Sequence, residues 1–234
     1  ENLNYQRVQV RKRLLDAPNL YTQMLATGAV NAQRLRDEES AARDWLCVHG
    51  GTAYAGHYIC KDTATVPALA LAKLLRNMGG AARQPDMSRV EALLAHLQTP
   101  EFKPRTLGGA IAAPHKTGCI ISRDPGGVLG GRGKAVSRVN LCSGVPTIWD
   151  NRFLVQSDLD GVCVKSLWIG RGQLSEDERA NLAKFAPAAR RTLPGFYRGD
   201  VLVHAPFVSL ETLAAVSPTK PHFKAQDLTH SRAM

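Results

Sequence analysis

The sequence predicts an α+β protein: a mainly helical part over residues 1–100, then a small mixed, mostly antiparallel sheet domain over 101–234. Two patterns and one bulk property predict it. Before Pro100, apolar residues recur at helical spacing. After Pro100, short apolar runs alternate with Gly, Pro and charged residues, as strands joined by turns do. The chain has 234 residues, 44% of them apolar and 21% charged, enough to bury a sizeable core of ordinary globular composition.

The elements follow in order. Asp16 with Pro18 close behind predicts a helix start, because a carboxylate satisfies free amides and Pro is tolerated in the first turn. That helix is expected to run to about Gly28. Asn31 is expected to cap a second helix, with Leu35, Ala42, Trp45 and Leu46 on one face and Gly50-Gly51 ending it. Tyr54 to Lys61 has the aromatic and β-branched content of a short strand. Val66 to Met78 reads as a helix stopped by Gly79-Gly80, and Asp86 to Leu97 as another, with Val90, Leu93, Leu94 and Leu97 inward. Thr106-Leu107, Cys119 to Ile121, Phe153 to Val155, Val162 to Ile169 and Val201 to Val203 read as strands. Ser175 with Glu178 three residues on has capping-box spacing, so a helix is expected over Ser175 to Arg190. Thr219 to Met234 is polar and without periodicity, and is expected to be partly loose.

Charge is the informative bulk property. Thirty Lys and Arg stand against twenty Asp and Glu, a net charge of +10. Residues 1–50 contribute +1, residues 51–140 contribute +7 and residues 141–234 contribute +2, counted from the sequence. A field of that sign favours polyanions, nucleic acid first, and places the expected phosphate-binding face in the middle third. Solvated surface charge is the plain alternative. No stretch approaches the roughly 20 consecutive apolar residues of a membrane helix. Five scattered cysteines, an odd number with no close pair, read as reduced thiols and fit a cytoplasmic protein.

Candidate chemistries fail one by one. Pro125 to Ala135 is rich in glycine, but a P-loop needs Gly where Val128 stands and Ser or Thr where Ala135 stands. It reads instead as a flexible basic surface loop, with Arg123, Arg132, Lys134 and Arg138 able to touch phosphate. His57 and Cys60, near Cys47 and His49, lack the second ligand cluster a structural zinc wants. Ser143 sits in no nucleophile elbow, and Asp158 and Asp160 beside Gly161 read as a turn. No catalytic residue and no metal site is expected.

Four stretches, in this order along the chain, carry a resemblance. They are Tyr5-Gln6-Arg7-Val8-Gln9-Val10-Arg11-Lys12-Arg13-Leu14-Leu15; Val66 to Gly80 with Ser88 to Leu94; Arg105 to Gly109 leading to Ile120 to Pro125; and Ile148-Trp149-Asp150-Asn151-Arg152-Phe153. Together they resemble the region following the catalytic domain of tRNA(Ile)-lysidine synthetases. Gln9 stands where that family's opening motif usually has an arginine. The family's Ser-Gly-Gly-x-Asp-Ser loop for ATP does not occur in the sequence; its one Ser-Gly pair, Ser143-Gly144, continues into Val145-Pro146.

The resemblance implies an enzyme that uses ATP to adenylate the wobble cytidine of an isoleucine tRNA with a CAU anticodon. The lysine amine then displaces AMP to leave lysidine. ATP and magnesium are expected in a separate N-terminal domain, with this chain supplying tRNA recognition and being inactive alone. The implied partners are that tRNA, the enzyme's own catalytic domain and, as an open possibility, a second copy of the chain; a membrane is not among them. Arg7 and Arg11 lie four apart, on one face if helical, and with Lys12 and Arg13 are expected to contact RNA or the catalytic domain. Two other classes stay open: a non-catalytic RNA- or DNA-binding module, and a protein-interaction domain whose charge is incidental.

Overall fold

The computed structural model describes residues 9, 12, 18–48, 53–54, 56–131, 136–209 and 223–227. It is an α+β protein, helical in its N-terminal part and built on antiparallel sheets thereafter. The chain divides into two compact units, Glu1–Ala42 and Arg43–Met234.

The first unit is described mainly by helix α1, Pro18–Val48, whose last turns belong to the second unit. The expected break between Gly28 and Asn31 is corrected: α1 is one helix of 31 residues. A mid-helix Gly costs only about 1 kcal/mol relative to Ala, too little to stop a helix whose flanks propagate. Side-chain pairs on the wet face support the turns beyond Asn31, with Gln33 donating to Asp37 at 2.8 Å and Arg34 facing Glu38 at 3.4 Å. Asp16 and Gly50-Gly51 lie outside the described residues.

In the second unit, five strands form one sheet in the order β1-β2-β5-β4-β3. They are β1 Ala53–Tyr54, β2 His57–Cys60, β3 Arg105–Leu107, β4 Ala110–His115 and β5 Gly118–Arg123, all paired antiparallel. The stretch expected as one strand over Tyr54 to Lys61 is thus two, bent at Gly56, whose φ of +79° suits glycine. Helices α2 (Ala68–Met78) and α3 (Met87–Leu97) pack against each other and against this sheet. Leu71, Leu74, Leu75 and Met78 of α2 and Val90, Leu93 and Leu97 of α3 are buried. Asp86 caps α3, its carboxylate accepting from the Ser88 amide at 3.0 Å.

A second core joins a four-stranded sheet, β11-β10-β9-β6, to a three-stranded one, β12-β8-β7. The strands are β6 Val139–Asn140, β7 Thr147–Trp149, β8 Phe153–Ser157, β9 Val162–Ser166, β10 Pro194–Arg198, β11 Val201–His204 and β12 Phe223–Asp227. Trp149, Phe153, Val155, Val164, Leu167 and Phe196 are fully buried between them. The expected strand Val162 to Ile169 stops at Ser166. There the Ser166 hydroxyl accepts from the Trp168 amide and starts a 3-10 helix, Leu167–Gln173. The Ser175 capping box forms as its spacing requires, heading α5 (Glu176–Ala183). That helix ends short of Arg190 because Pro187 forces Ala186 into an extended conformation, and a separate turn, α6 (Pro187–Arg190), follows. Within the expected loose tail, Phe223–Asp227 pairs with β8, so part of it is ordered. The glycine-rich segment is not wholly a surface loop either: Pro125–Val128 forms a helical turn, α4, capped by Asp124, and Val128 is buried.

Candidate nucleic-acid interface

Three of the stretches singled out in the sequence meet at one point of the second unit. The hairpin between β7 and β8 turns on Asp150 and Asn151, both left-handed (φ 51° and 54°), a conformation that Asp and Asn tolerate better than other side-chain-bearing residues. This turn aims the Asp150 carboxylate inward, 6% exposed, between two guanidiniums. Arg123 approaches in a fork, Nη2 at 2.8 Å and Nε at 3.1 Å, and its Nη1 donates to the Gly109 carbonyl. Fully buried Arg152 donates through Nε to Asp150 at 2.7 Å and through Nη2 to the Thr192 carbonyl at 2.7 Å. The Arg152 guanidinium carbon also sits 4.7 Å from the Phe153 ring centroid.

The glycine pairs of the other stretches close the cluster. A Cβ at Gly79 would lie 2.1 Å from the Gly108 carbonyl oxygen, and one at Gly80 would lie 2.4 Å from that of Asp150. Asn151 fastens the same corner by donating to the Gly80 carbonyl at 3.0 Å. The arrangement holds charge in place within the fold.

The residues singled out for RNA contact are placed unequally. Lys12 is an exposed helical residue. Arg138 is exposed, its Nε 3.3 Å from the Asn140 side-chain oxygen. Arg123 is committed to Asp150 and Gly109, with 13% of its side chain exposed. Arg7, Arg11, Arg13, Arg132 and Lys134 lie outside the described residues. Within the second unit, Arg123 is thus held inside the fold, while Arg138 faces solvent.

Sequence reasoning passed over a different basic group. Trp168 lies half-buried with the Arg171 guanidinium carbon 4.6 Å and that of Arg191 5.8 Å from its ring centroid. Arg179 of α5 and Arg190 of α6 line a hollow with Trp168 and Arg171. The available signal was weak: one aromatic among arginines spread from 171 to 191, in a third of the chain whose carboxylates nearly balance its bases.

Other constellations resolve into structure. The Glu178 carboxylate accepts from the Ser175 amide and from the Ser209 hydroxyl, so it serves a helix start. Burial pushes its pKa up, but the Ser209 and Ser175 hydrogen bonds, with His204 nearby, outweigh that and hold it below the usual value. Ser143 Oγ donates to the Asp158 carbonyl at 2.7 Å, a link between turns. Cys60 faces Cys119 across β2 and β5, and the thiols share a hydrogen bond; that bond and burial push the Cys119 thiol up. Among the described residues, no group of three or more His, Cys, Asp or Glu is placed to hold a metal. Nor, among them, is any helix long and apolar enough to cross a membrane.

A stretch of 124 residues, 53% of the chain, is 32% identical to a curated protein of Caulobacter vibrioides. That protein is a tRNA(Ile)-lysidine synthase. The family suggested by the four sequence stretches and the curated relative therefore agree. The match takes in 29% of the synthase, so this chain corresponds to a minor part of its length. No family model matches the chain, and no solved structure matches it.

Proposed function

We propose that this chain is the tRNA-recognising, C-terminal portion of a tRNA(Ile)-lysidine synthetase, a cytoplasmic ligase that joins lysine to the wobble cytidine of isoleucine tRNA with a CAU anticodon. The observation that carries the proposal is the 32% identity over 124 residues to a tRNA(Ile)-lysidine synthase. Two further facts support it. The net charge of +10 suits a partner built of phosphates. The stretches that first suggested the family, from Val66 onward, converge on the Asp150 corner, which accounts for Gly79-Gly80, Gly108-Gly109, Arg123 and Trp149 to Phe153 being the residues they are.

In this reading the adenylation chemistry, with its ATP and magnesium, belongs to a separate N-terminal catalytic domain that this chain accompanies. The residues here do not fit that cofactor. The Ser-Gly-Gly-x-Asp-Ser loop is absent from the sequence, and Ser143-Gly144 is spent on a turn. The chain's own task is to hold tRNA: Lys12, Arg138 and the exposed bases of residues 51–140 meet backbone phosphates, and Arg7, Arg11, Arg13, Arg132 and Lys134 join them.

Binding of the chain to isoleucine CAU tRNA and to methionine CAU tRNA over a salt series tests this. Preference for the isoleucine tRNA is expected, with log K falling linearly in log salt by roughly 0.7–0.9 per phosphate neutralised. Equal binding to both would leave a generic RNA-holding module, with discrimination made elsewhere. No binding at low salt would overturn the RNA reading.

A further inference from the structure

The hollow beside Trp168, about 340 Å³, is lined by Trp168, Arg171, Arg179, Leu182 and Arg190, largely through their apolar atoms, so the arginine stems form its wall and their charged ends its rim. Its cations come from three separate elements: the 3-10 helix, α5 and α6. Each is held differently. Arg171 is exposed, lies over the indole and donates through Nη1 to the Trp168 carbonyl at 3.0 Å, which fixes its stem. Arg179 stands on the face of α5 that Leu182 shares, three residues on. Arg190 Nε is buried and has no hydrogen-bond partner among the described residues. A buried N–H without an acceptor carries a desolvation cost.

Electrostatics points the same way. Among the described residues none of Arg171, Arg179, Arg190 and Arg191 forms a salt bridge, although residues 141–234 hold nine carboxylates against eleven bases. Several of those carboxylates are occupied elsewhere: Asp150 at the buried corner, Asp200 against Lys165, and Glu178 at a helix cap. Glu176 and Asp177 share α5 with Arg179, and among the described residues neither forms a salt bridge with the arginines of the hollow. Guanidiniums, rather than ammoniums, are the groups that grip phosphate oxygens in a planar fork.

We propose that this hollow is a phosphate-binding site, and that the phosphate is one of an RNA backbone. Arg171, Arg179 and Arg190 bracket it, while Trp168 and Leu182 give an apolar wall to the adjoining ribose or base. RNA as the source of the phosphate rests on the function proposed above; the site itself rests on the hollow's geometry.

The test compares tRNA binding by the whole chain, its R171Q/R179Q variant and an R34Q/R36Q variant that loses the same charge on α1, with thermal unfolding confirming that all three fold. R171Q/R179Q is expected to bind at least about tenfold more weakly, with a salt slope reduced by about 1, while R34Q/R36Q stays near the parent. Equal binding by all three, or equal weakening of both variants, would overturn the site and leave the RNA reading standing. If the parent chain binds no tRNA, the RNA reading falls, and inorganic pyrophosphate decides the site separately. Perturbed NMR signals of Arg190 Nε–H and Trp168 Nε1–H at millimolar pyrophosphate would keep it as a site for another phosphate, and unmoved signals would remove it.

Discussion

Replacing Asp150 by Asn isolates the charge at the buried corner. Asparagine keeps the size of the side chain and accepts the left-handed backbone at φ 51°, so the turn itself survives. The substitution removes the one carboxylate that both Arg123 and Arg152 address in a salt bridge among the described residues. Arg152 cannot escape to water, being fully buried and tied to the Thr192 carbonyl. Arg123, 13% exposed, can turn outward only by leaving the Gly109 carbonyl. Removing one partner of a buried ion pair costs about 3–5 kcal/mol. Domain stabilities are about 5–15 kcal/mol, so much of the total is at stake. With a urea m-value of about 2–3 kcal/mol/M, the midpoint should fall by about 1–2 M. Urea unfolding followed by circular dichroism measures this directly. A second substitution, Arg152→Met in the D150N background, should recover part of the loss, because it removes the buried charge that Asp150 had balanced and keeps contact with Phe153. A loss under about 1 kcal/mol for D150N, or a double variant weaker than the single, would refute the account.

Tyr197→Phe should cost about 1–3 kcal/mol, because the hydroxyl accepts from the buried Gly170 amide at 2.9 Å and donates to the Ser166 carbonyl at 2.9 Å. In the parent chain, burial pushes this phenol up to about 12, and an ultraviolet titration should show one tyrosine ionising later than the rest. Glu178 has a lowered pKa in the folded state, so its contribution to stability is present above its ordinary value of 4.5 and is lost as pH falls through the folded value. Glu178→Gln should flatten that acid limb of the stability profile; an unchanged limb would show that Glu178 does not contribute. Native protein should expose Cys47 and Cys142 to a thiol reagent at once, while Cys60, Cys119 and Cys163 react only on unfolding. Fast labelling of more than two thiols would contradict this burial pattern.

The sequence was most legible where a single local rule had no competitor. The Ser175–Glu178 capping box and the apolar stripes of α2 and α3 formed as their spacing requires. Where two local rules conflicted, context chose. Asn31 has a capping side chain, yet the helix already running from Pro18 carried straight through it. After Ser166 the apolar run Leu167 to Ile169 kept its hydrophobicity and changed period, since a serine cap is enough to turn a strand into a 3-10 helix. The partners of the basic residues were not legible, because a formal charge says nothing about what it meets. Arg123 looked available for phosphate, but Asp150 reaches it from 27 positions away. The Trp168 group stayed hidden because window-averaged charge counts carboxylates that the fold spends elsewhere.

The corner around Asp150 also bears on how the chain reaches its native state. Its hydrogen bonds join residues 27, 40 and 71 positions apart, so long stretches of backbone must be brought together before any of them can form. The hairpins β4–β5 and β7–β8 need no such closure and are free to form first. The corner is then a late latch: weakening it should speed unfolding far more than it slows folding, and so shorten the lifetime of the folded chain.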